Sequence, residues 1–212
     1  LEMWNAVSDK DKNDSDFTGF LVQTDYQAKQ TGFIQPYADS PMDHEQVGEE
    51  VYISMVNKAK KYCWFMTPYL IITDEMSHAL CLAAKRGVDV RIITPGIPDK
   101  KMIYNITRSF YHGLVKHGVR IYEWTPGFCH AKMSVADDCM ATCGTINLDY
   151  RSLYHHFENG CFMADCQAVL DIRNDLAATM DECREVTEQY STGRSAYLRL
   201  GQLFMRLFAG LL

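Results

Sequence analysis

The sequence predicts an α/β sandwich, with helices packed on a largely buried sheet. Two observations carry the prediction: amphipathic stretches of helical period alternate with short apolar runs, and 212 residues that are 47% hydrophobic can fill a sizeable core. Length alone suggests one large domain or a domain with appendages.

The order of elements follows from local pattern. Residues 8–16, SDKDKNDSD, have no period and read as an exposed loop, while Phe17 to Val22 and Gly32 to Gln35 are candidates for short strands. Pro36 to Asp43 reads as a connection, so residues 1–41 are taken as a lead-in and 42–212 as the main domain. From Gln46 to Lys61 the apolar Val47, Val51, Met55, Val56 and Ala59 share a helical face. YCWFMT at 62–67, stopped by Pro68, suits a buried central strand. Thr73 or Asp74 caps a second helix that Gly87 ends, and VDVRII supplies the next strand. A third helix over about 99–117 stops at Gly118 and leads to the strand VRIYEW. A hairpin, Cys129 to Val135 and Cys139 to Cys143, turns at Asp137-Asp138. CFMA gives a last strand before a helix from about Gln167 to Gln189, and the apolar tail from Ser195 carries a narrow polar stripe.

Composition narrows the function classes. A formal charge of −6 does not favour a broad nucleic-acid footprint, and no nucleic-acid partner is expected. No run of about 18 uncharged apolar residues is present to span a bilayer. The eight cysteines lie in apolar runs without a Cys-x2-Cys pair and read mostly as buried thiols. No His-Glu-x2-His, P-loop or Gly-x-Ser-x-Gly occurs, so none of these motifs calls for a metal or a cofactor.

Chemistry concentrates between Gly127 and Glu158. His130 and Lys132, two residues apart on an extended segment, share a face. Imidazole serves as nucleophile or proton donor near neutral pH. Lys132 would hold an anion such as a phosphate against it, and Thr145 and Asn147 offer neutral hydrogen bonds to the same oxygens. Glu158 is expected to accept the second imidazole N–H and fix its tautomer. A bare His-x-Lys-x4-Asp is a weak signal. Its extension by Gly-Thr-x-Asn after six intervening residues beyond Asp137, and then by Glu158, makes it a specific one.

HAKMSVAD followed by GTIN matches H-x-K-x4-D-x6-G-[ST]-x-N at every fixed position, and in this the chain resembles the phospholipase D superfamily. FMTPYLIITDEM, KRGVDVRIITPGIPDKKMIY, GVRIYEWTPGFCHAK and GTINLDYRSLYHHFE are similar to the second catalytic half of bacterial cardiolipin synthases. The resemblance covers about Met42 to the C-terminus. It implies a phospholipase D-like sandwich, a mixed central sheet with helices on both faces, and an active site completed by a second motif. It also implies transfer of phosphatidyl between two phosphatidylglycerol molecules through a phosphohistidine, at the membrane of a bacterial cell.

His130 would be one of the two histidines, the acid rather than the nucleophile if this is the second half. Lys132, Thr145 and Asn147 would bind phosphate, Glu158 would orient His130, and Asp137 would be catalytic as a member of the motif. Only one such motif is present, and LEMWNAV opens without an initiator Met. The expectation is therefore a piece of a longer synthase, whose first half completes the site. The alternatives are a homodimeric phosphodiesterase (phospholipase or nuclease) and an inactive isolated half. Two further features concern lipid contact. Lys100, Lys101 and Arg108 could meet anionic headgroups, or simply form a solvated helix face, and the tail from Ser195 could lie on a membrane or pack against the preceding helix.

Overall fold

The computed structural model describes residues 27–191 continuously, with residues 3, 7, 16, 18–20 and 25. The chain divides into two compact units, Leu1–Thr31 and Gly32–Leu212. In the first, the expected strand at Phe17 to Val22 is replaced at Thr18–Phe20 by a 3₁₀ turn. Asp16 holds it, its Oδ1 accepting from the Thr18 amide at 2.9 Å and hydroxyl at 2.6 Å. Most of the 8–16 loop and the apolar tail lie outside the described residues.

The second unit is an eight-stranded mixed sheet with helices on both faces. In chain order it runs β1 (Phe33–Asp39), α1 (Val47–Lys58), β2 (Tyr62–Met66), β3 (Leu70–Ile71), α2 (Asp74–Lys85) and β4 (Asp89–Pro95). It continues with α3 (Lys101–Val115), β5 (Arg120–Trp124), β6 (Met133–Ala136), β7 (Met140–Gly144), β8 (Leu148–Asp149) and a π-helical turn (Arg151–His155). It closes with β9 (Glu158–Ala164), α4 (Gln167–Asp181), β10 (Cys183–Glu185) and α5 (Thr187–Ser191).

The sheet order is β1-β9-β7-β6-β2-β4-β5-β10, and β3 pairs separately with β8. β2, β4 and β5 are mutually parallel; every other neighbouring pair in the large sheet is antiparallel.

Alternation along the central strands builds two cores. Cys63, Phe65, Val90, Ile92 and Ile121 face α1, α2 and α3, whereas Ile93, Tyr122, Val135 and Ala141 face α4. Burying side chains such as Phe65, Leu80 and Ile121 contributes about 1.5–3 kcal/mol each. Thr73 caps α2, its hydroxyl accepting from the Met76 amide at 3.0 Å. Gly87 (φ +91°) and Gly118 (φ +100°) take the left-handed conformation that ends α2 and α3.

Three expectations are corrected. β1 runs through Pro36 to Asp39, so part of the expected lead-in belongs to the sheet. Among the described residues β1 is an edge strand paired with β9 alone, which lets it accommodate a residue without an N–H. The helix expected to reach Gln189 ends at Asp181 and is followed by β10. The cause is Glu123, fully buried on β5, which accepts from Arg108 on α3 at 2.7 Å and from Arg184 on β10 at 2.6 Å. A buried carboxylate without both partners would cost several kcal/mol, and an extended segment beside β5 delivers the second one. Third, only Cys63, Cys81 and Cys129 of the eight free thiols are fully buried, and Cys143 is exposed.

The β6–β7 hairpin turns where expected, with Asp137 (φ +53°) and Asp138 (φ +60°) both left-handed, a conformation aspartate tolerates. The Asp137 carboxylate accepts from the amides of Lys60 (2.7 Å), Lys61 (2.8 Å) and Tyr62 (2.9 Å), tying the turn to the start of β2. Partial burial opposes its ionisation, but those amides and the Lys61 charge outweigh burial and hold the carboxyl below its ordinary value. A depressed folded value adds stability that is complete above the unfolded value and is lost as pH falls through the folded one. Asp137→Ala should therefore cost on the order of 2 kcal/mol in urea unfolding at neutral pH, with the difference from wild type shrinking below about pH 4.

Candidate functional site

His130 and Lys132 precede β6 in irregular backbone, so strand parity does not set their relation as expected. What joins them is Lys132 itself. Its Nζ donates to the His130 carbonyl at 2.7 Å and lies 2.9 Å from Nδ1 and 3.3 Å from Nε2 of the ring. Whichever tautomer is present, one ring nitrogen offers the ammonium a lone pair. The imidazole is exposed, with the Phe128 ring 5.9 Å away, whereas Lys132 is buried.

The adjoining wall is Gly144 to Asn147, a segment pinned at several points along its backbone. The Gly144 amide donates to the Lys132 carbonyl at 3.3 Å and the Thr145 amide to the Asn159 carbonyl at 2.9 Å. The Ile146 carbonyl accepts from the Tyr52 hydroxyl at 2.8 Å, and the Leu148 amide donates to Thr67 Oγ1 at 3.1 Å. Gly144 is a steric requirement, since a Cβ there would lie 2.4 Å from the Asn159 carbonyl oxygen and 2.6 Å from the Gly160 Cα. Each hydrogen bond contributes about 1 kcal/mol, and their combined effect is to hold Thr145 and Asn147 without reorganisation.

Glu158, at the start of β9, accepts from the Thr145 hydroxyl, and His156 Nδ1 lies 3.8 Å from its carboxylate. Among the described residues no hydrogen bond joins Glu158 to His130; the His130 ring is hydrogen-bonded by Lys132. Glu158 acts on the site through Thr145 and through its charge on Lys132. Asp137 stands apart, at the far end of β6, roughly 20 Å along an extended chain from His130, with its carboxylate committed to three backbone amides. Its place is structural.

One functional group was not foreseen. Asp149, two residues beyond Asn147 in β8, is buried; its Oδ2 accepts from Asn147 Nδ2 at 3.2 Å and its Oδ1 from the Ser152 amide at 2.8 Å. Burial raises its proton affinity against those hydrogen bonds, with Glu158 adding to the rise. It orients Asn147, whose Oδ1 is buried without a hydrogen-bond partner among the described residues. The signal in the sequence was the Asn-x-Asp spacing, which sets both side chains on one face of an extended segment.

Lys132 thus lies near two carboxylates, yet burial prevails over the attraction of Glu158 and Asp149 and holds its proton affinity below that of an ordinary lysine. The arrangement is a partly desolvated cation beside an imidazole, in a region that also holds the Asn147 amide and the Thr145 hydroxyl given to Glu158. Such a set could receive a tetrahedral oxyanion.

The family model described as "Cardiolipin synthase, PLD-like domain" matches residues 52–180. The chain belongs to this cardiolipin synthase, phospholipase D-like domain family. A cardiolipin synthase of Halalkalibacterium halodurans is 32% identical over 184 residues, 87% of this chain and 37% of that protein. An uncharacterised protein of Streptococcus mutans is 46% identical over 212 residues, all of this chain and 45% of that protein. The chain therefore spans less than half the length of these curated relatives.

Among solved structures, a phosphatidylserine synthase of Haemophilus influenzae superposes with a TM-score of 0.65 at 16% identity, covering 84% of this chain and 47% of that one. The phospholipase D family member Nuc of Salmonella typhimurium gives 0.62 at 18% identity, covering 73% of this chain and 98% of that one. Both share the sandwich found here, which is the phospholipase D-like fold.

In this phospholipase D-like domain Lys132 trades stability for charge. Since its folded proton affinity is depressed, the unfolded chain holds the proton to higher pH, and stability rises with pH between the folded value and about 10.4. Lys132→Met should unfold within about 1 kcal/mol of wild type at pH 7, or be more stable, and should lose this alkaline rise. Urea unfolding at neutral and alkaline pH measures both effects.

Proposed function

We propose that the complete protein is a phosphatidyltransferase that makes cardiolipin from two phosphatidylglycerol molecules, and that this chain supplies one of two half-sites. The observation that carries the reading is the buried Lys132 ammonium 2.9 Å from Nδ1 of the exposed His130, within electrostatic reach of Glu158 and Asp149, the carboxylates that hold Thr145 and Asn147. A phosphodiester bound there would have its charge met by Lys132, with the Asn147 amide offering a neutral hydrogen bond to its oxygens; the Thr145 hydroxyl, whose one proton goes to Glu158, would add a second by turning from that carboxylate to the phosphate.

In this scheme a histidine of the second motif attacks phosphorus. A P–N bond forms, the P–O bond to glycerol breaks, and His130 gives its proton to the departing glycerol oxygen. A hydroxyl of the second phosphatidylglycerol then attacks phosphorus, His130 takes its proton, and the P–N bond breaks. Glu158 and Asp149 position the phosphate-binding groups through Thr145 and Asn147. The second motif comes from the remainder of a longer polypeptide or from a second copy of this chain. Water in place of the acceptor alcohol would turn the same site into a phospholipase. The lipid nature of the substrate assigns the protein to a membrane surface; no described helix is long and apolar enough to cross a membrane.

His130→Ala in the complete polypeptide should lower cardiolipin formation from phosphatidylglycerol by about a thousandfold or more, with the unfolding midpoint unchanged. Thin-layer separation of radiolabelled products measures the transfer. Turnover near the wild-type rate would exclude His130 from the chemistry.

A further inference from the structure

Three large apolar side chains are left in solvent on the loop after β4, the first turn of α3 and the loop after β5 that leads to His130. Ile97 (44% exposed) follows β4, Met102 (56%) opens α3, and Phe128 (40%) lies between β5 and His130. The loops are held side by side: the Gly96 amide donates to the Trp124 carbonyl at 2.6 Å, and a Cβ on Gly96 would approach Thr125 and Trp124 to 2.9 Å. Ile97 and Phe128 line one shallow hollow together with Pro68, Tyr69 and Tyr104. Its edge adjoins the imidazole, since the Phe128 and His130 ring centroids are 5.9 Å apart.

Charge accompanies this apolar rim. Lys100 and Lys101, between Ile97 and Met102, are exposed and form no ion pair among the described residues. The nearby Asp99 carboxylate already accepts from the Tyr69 hydroxyl at 2.6 Å. Arg108, grouped with these lysines on sequence, is withdrawn into the Glu123 pair and stacks 4.5 Å over Tyr104. The rim therefore presents lysines as its free cations, on a chain whose total charge is −6.

We propose that the Ile97–Met102 loop and Phe128 form the surface by which this domain docks onto an anionic phospholipid bilayer, with Ile97 and Met102 entering the acyl boundary and Lys100 and Lys101 meeting headgroup phosphates. The inference rests on the phosphatidyl-transfer reading for its substrate. A phosphodiester at His130 would carry its acyl chains only a few bonds from phosphorus, and Phe128, beside the imidazole and lining the hollow, offers those chains an apolar contact. Apolar side chains inserted beside basic ones bind such a surface cooperatively, each insertion strengthening affinity by about tenfold or more.

The test uses the complete polypeptide carrying Ile97→Glu and Met102→Glu together, and separately Lys100→Glu with Lys101→Glu. Co-sedimentation with phosphatidylglycerol vesicles should weaken by about tenfold or more in both variants. Wild-type binding should weaken by a comparable factor on phosphatidylcholine vesicles or in high salt. Apparent KM on phosphatidylglycerol vesicles should rise while turnover of monomeric short-chain phosphatidylglycerol stays within about twofold of wild type.

Unchanged vesicle binding in both variants would overturn the proposal. So would an equal loss of turnover on vesicles and monomers, because it would mean that the rim packs against another lobe of the protein. Sedimentation decides the docking surface without catalysis. If wild type binds these vesicles through the rim but transfers no phosphatidyl group, the transfer reading fails and the docking surface stands.

Discussion

The register of the β6–β7 hairpin is the constraint on which the site depends. At one end Asp137 gathers the Lys60, Lys61 and Tyr62 amides and fixes the turn against β2. At the other, the Lys132 carbonyl accepts from the Gly144 amide. Between these two anchors the pairing of Met133 with Cys143 and of Ala136 with Met140 leaves no freedom to slip. A shift of one residue would turn Ser134 and Thr142 out of their mutual 2.6 Å hydrogen bond and carry Lys132 away from the Asn147 wall.

That constraint explains how a charged residue can be buried here. Burial of an ammonium is costly, and the neighbouring carboxylates of Glu158 and Asp149 offset only part of the cost. The remainder is carried by the rigid shell: Gly144 against Gly160, Thr145 against Asn159, Leu148 against Thr67. Preorganised polarity of this kind has little further reorganisation to undergo when an anion arrives. The same residues that make the domain less stable than an apolar core would are those proposed to receive phosphate.

Stability and function are separated in space as well. The two cores lie above and below the sheet, filled by Phe65, Ile92 and Ile121 on one side and Ile93, Val135 and Leu176 on the other. The site occupies the loops at one end of the strands, where backbone irregularity is tolerated. Glu123, completely buried, shows that a polar group can also serve architecture, since pairing with Arg108 and Arg184 fastens α3 and β10 to β5.

Much of the fold was legible in the sequence because it depends on local pattern: helical period in α1 to α3, apolar runs in β2, β4 and β5, and glycines after α2 and α3. The motif spacing singled out His130, Lys132, Thr145 and Asn147, the residues on which the proposed chemistry is built. Tertiary structure decided what depends on distant partners. It drew β10 out of an apparent helix to satisfy Glu123, admitted Pro36 to an edge strand and gave Glu158 to Thr145 rather than to His130. It also separated Asp137 from the histidine whose motif it shares. Sequence spacing records which residues belong together chemically, but in a strand it also carries them apart, and only the packing of the other strands determines which ones meet.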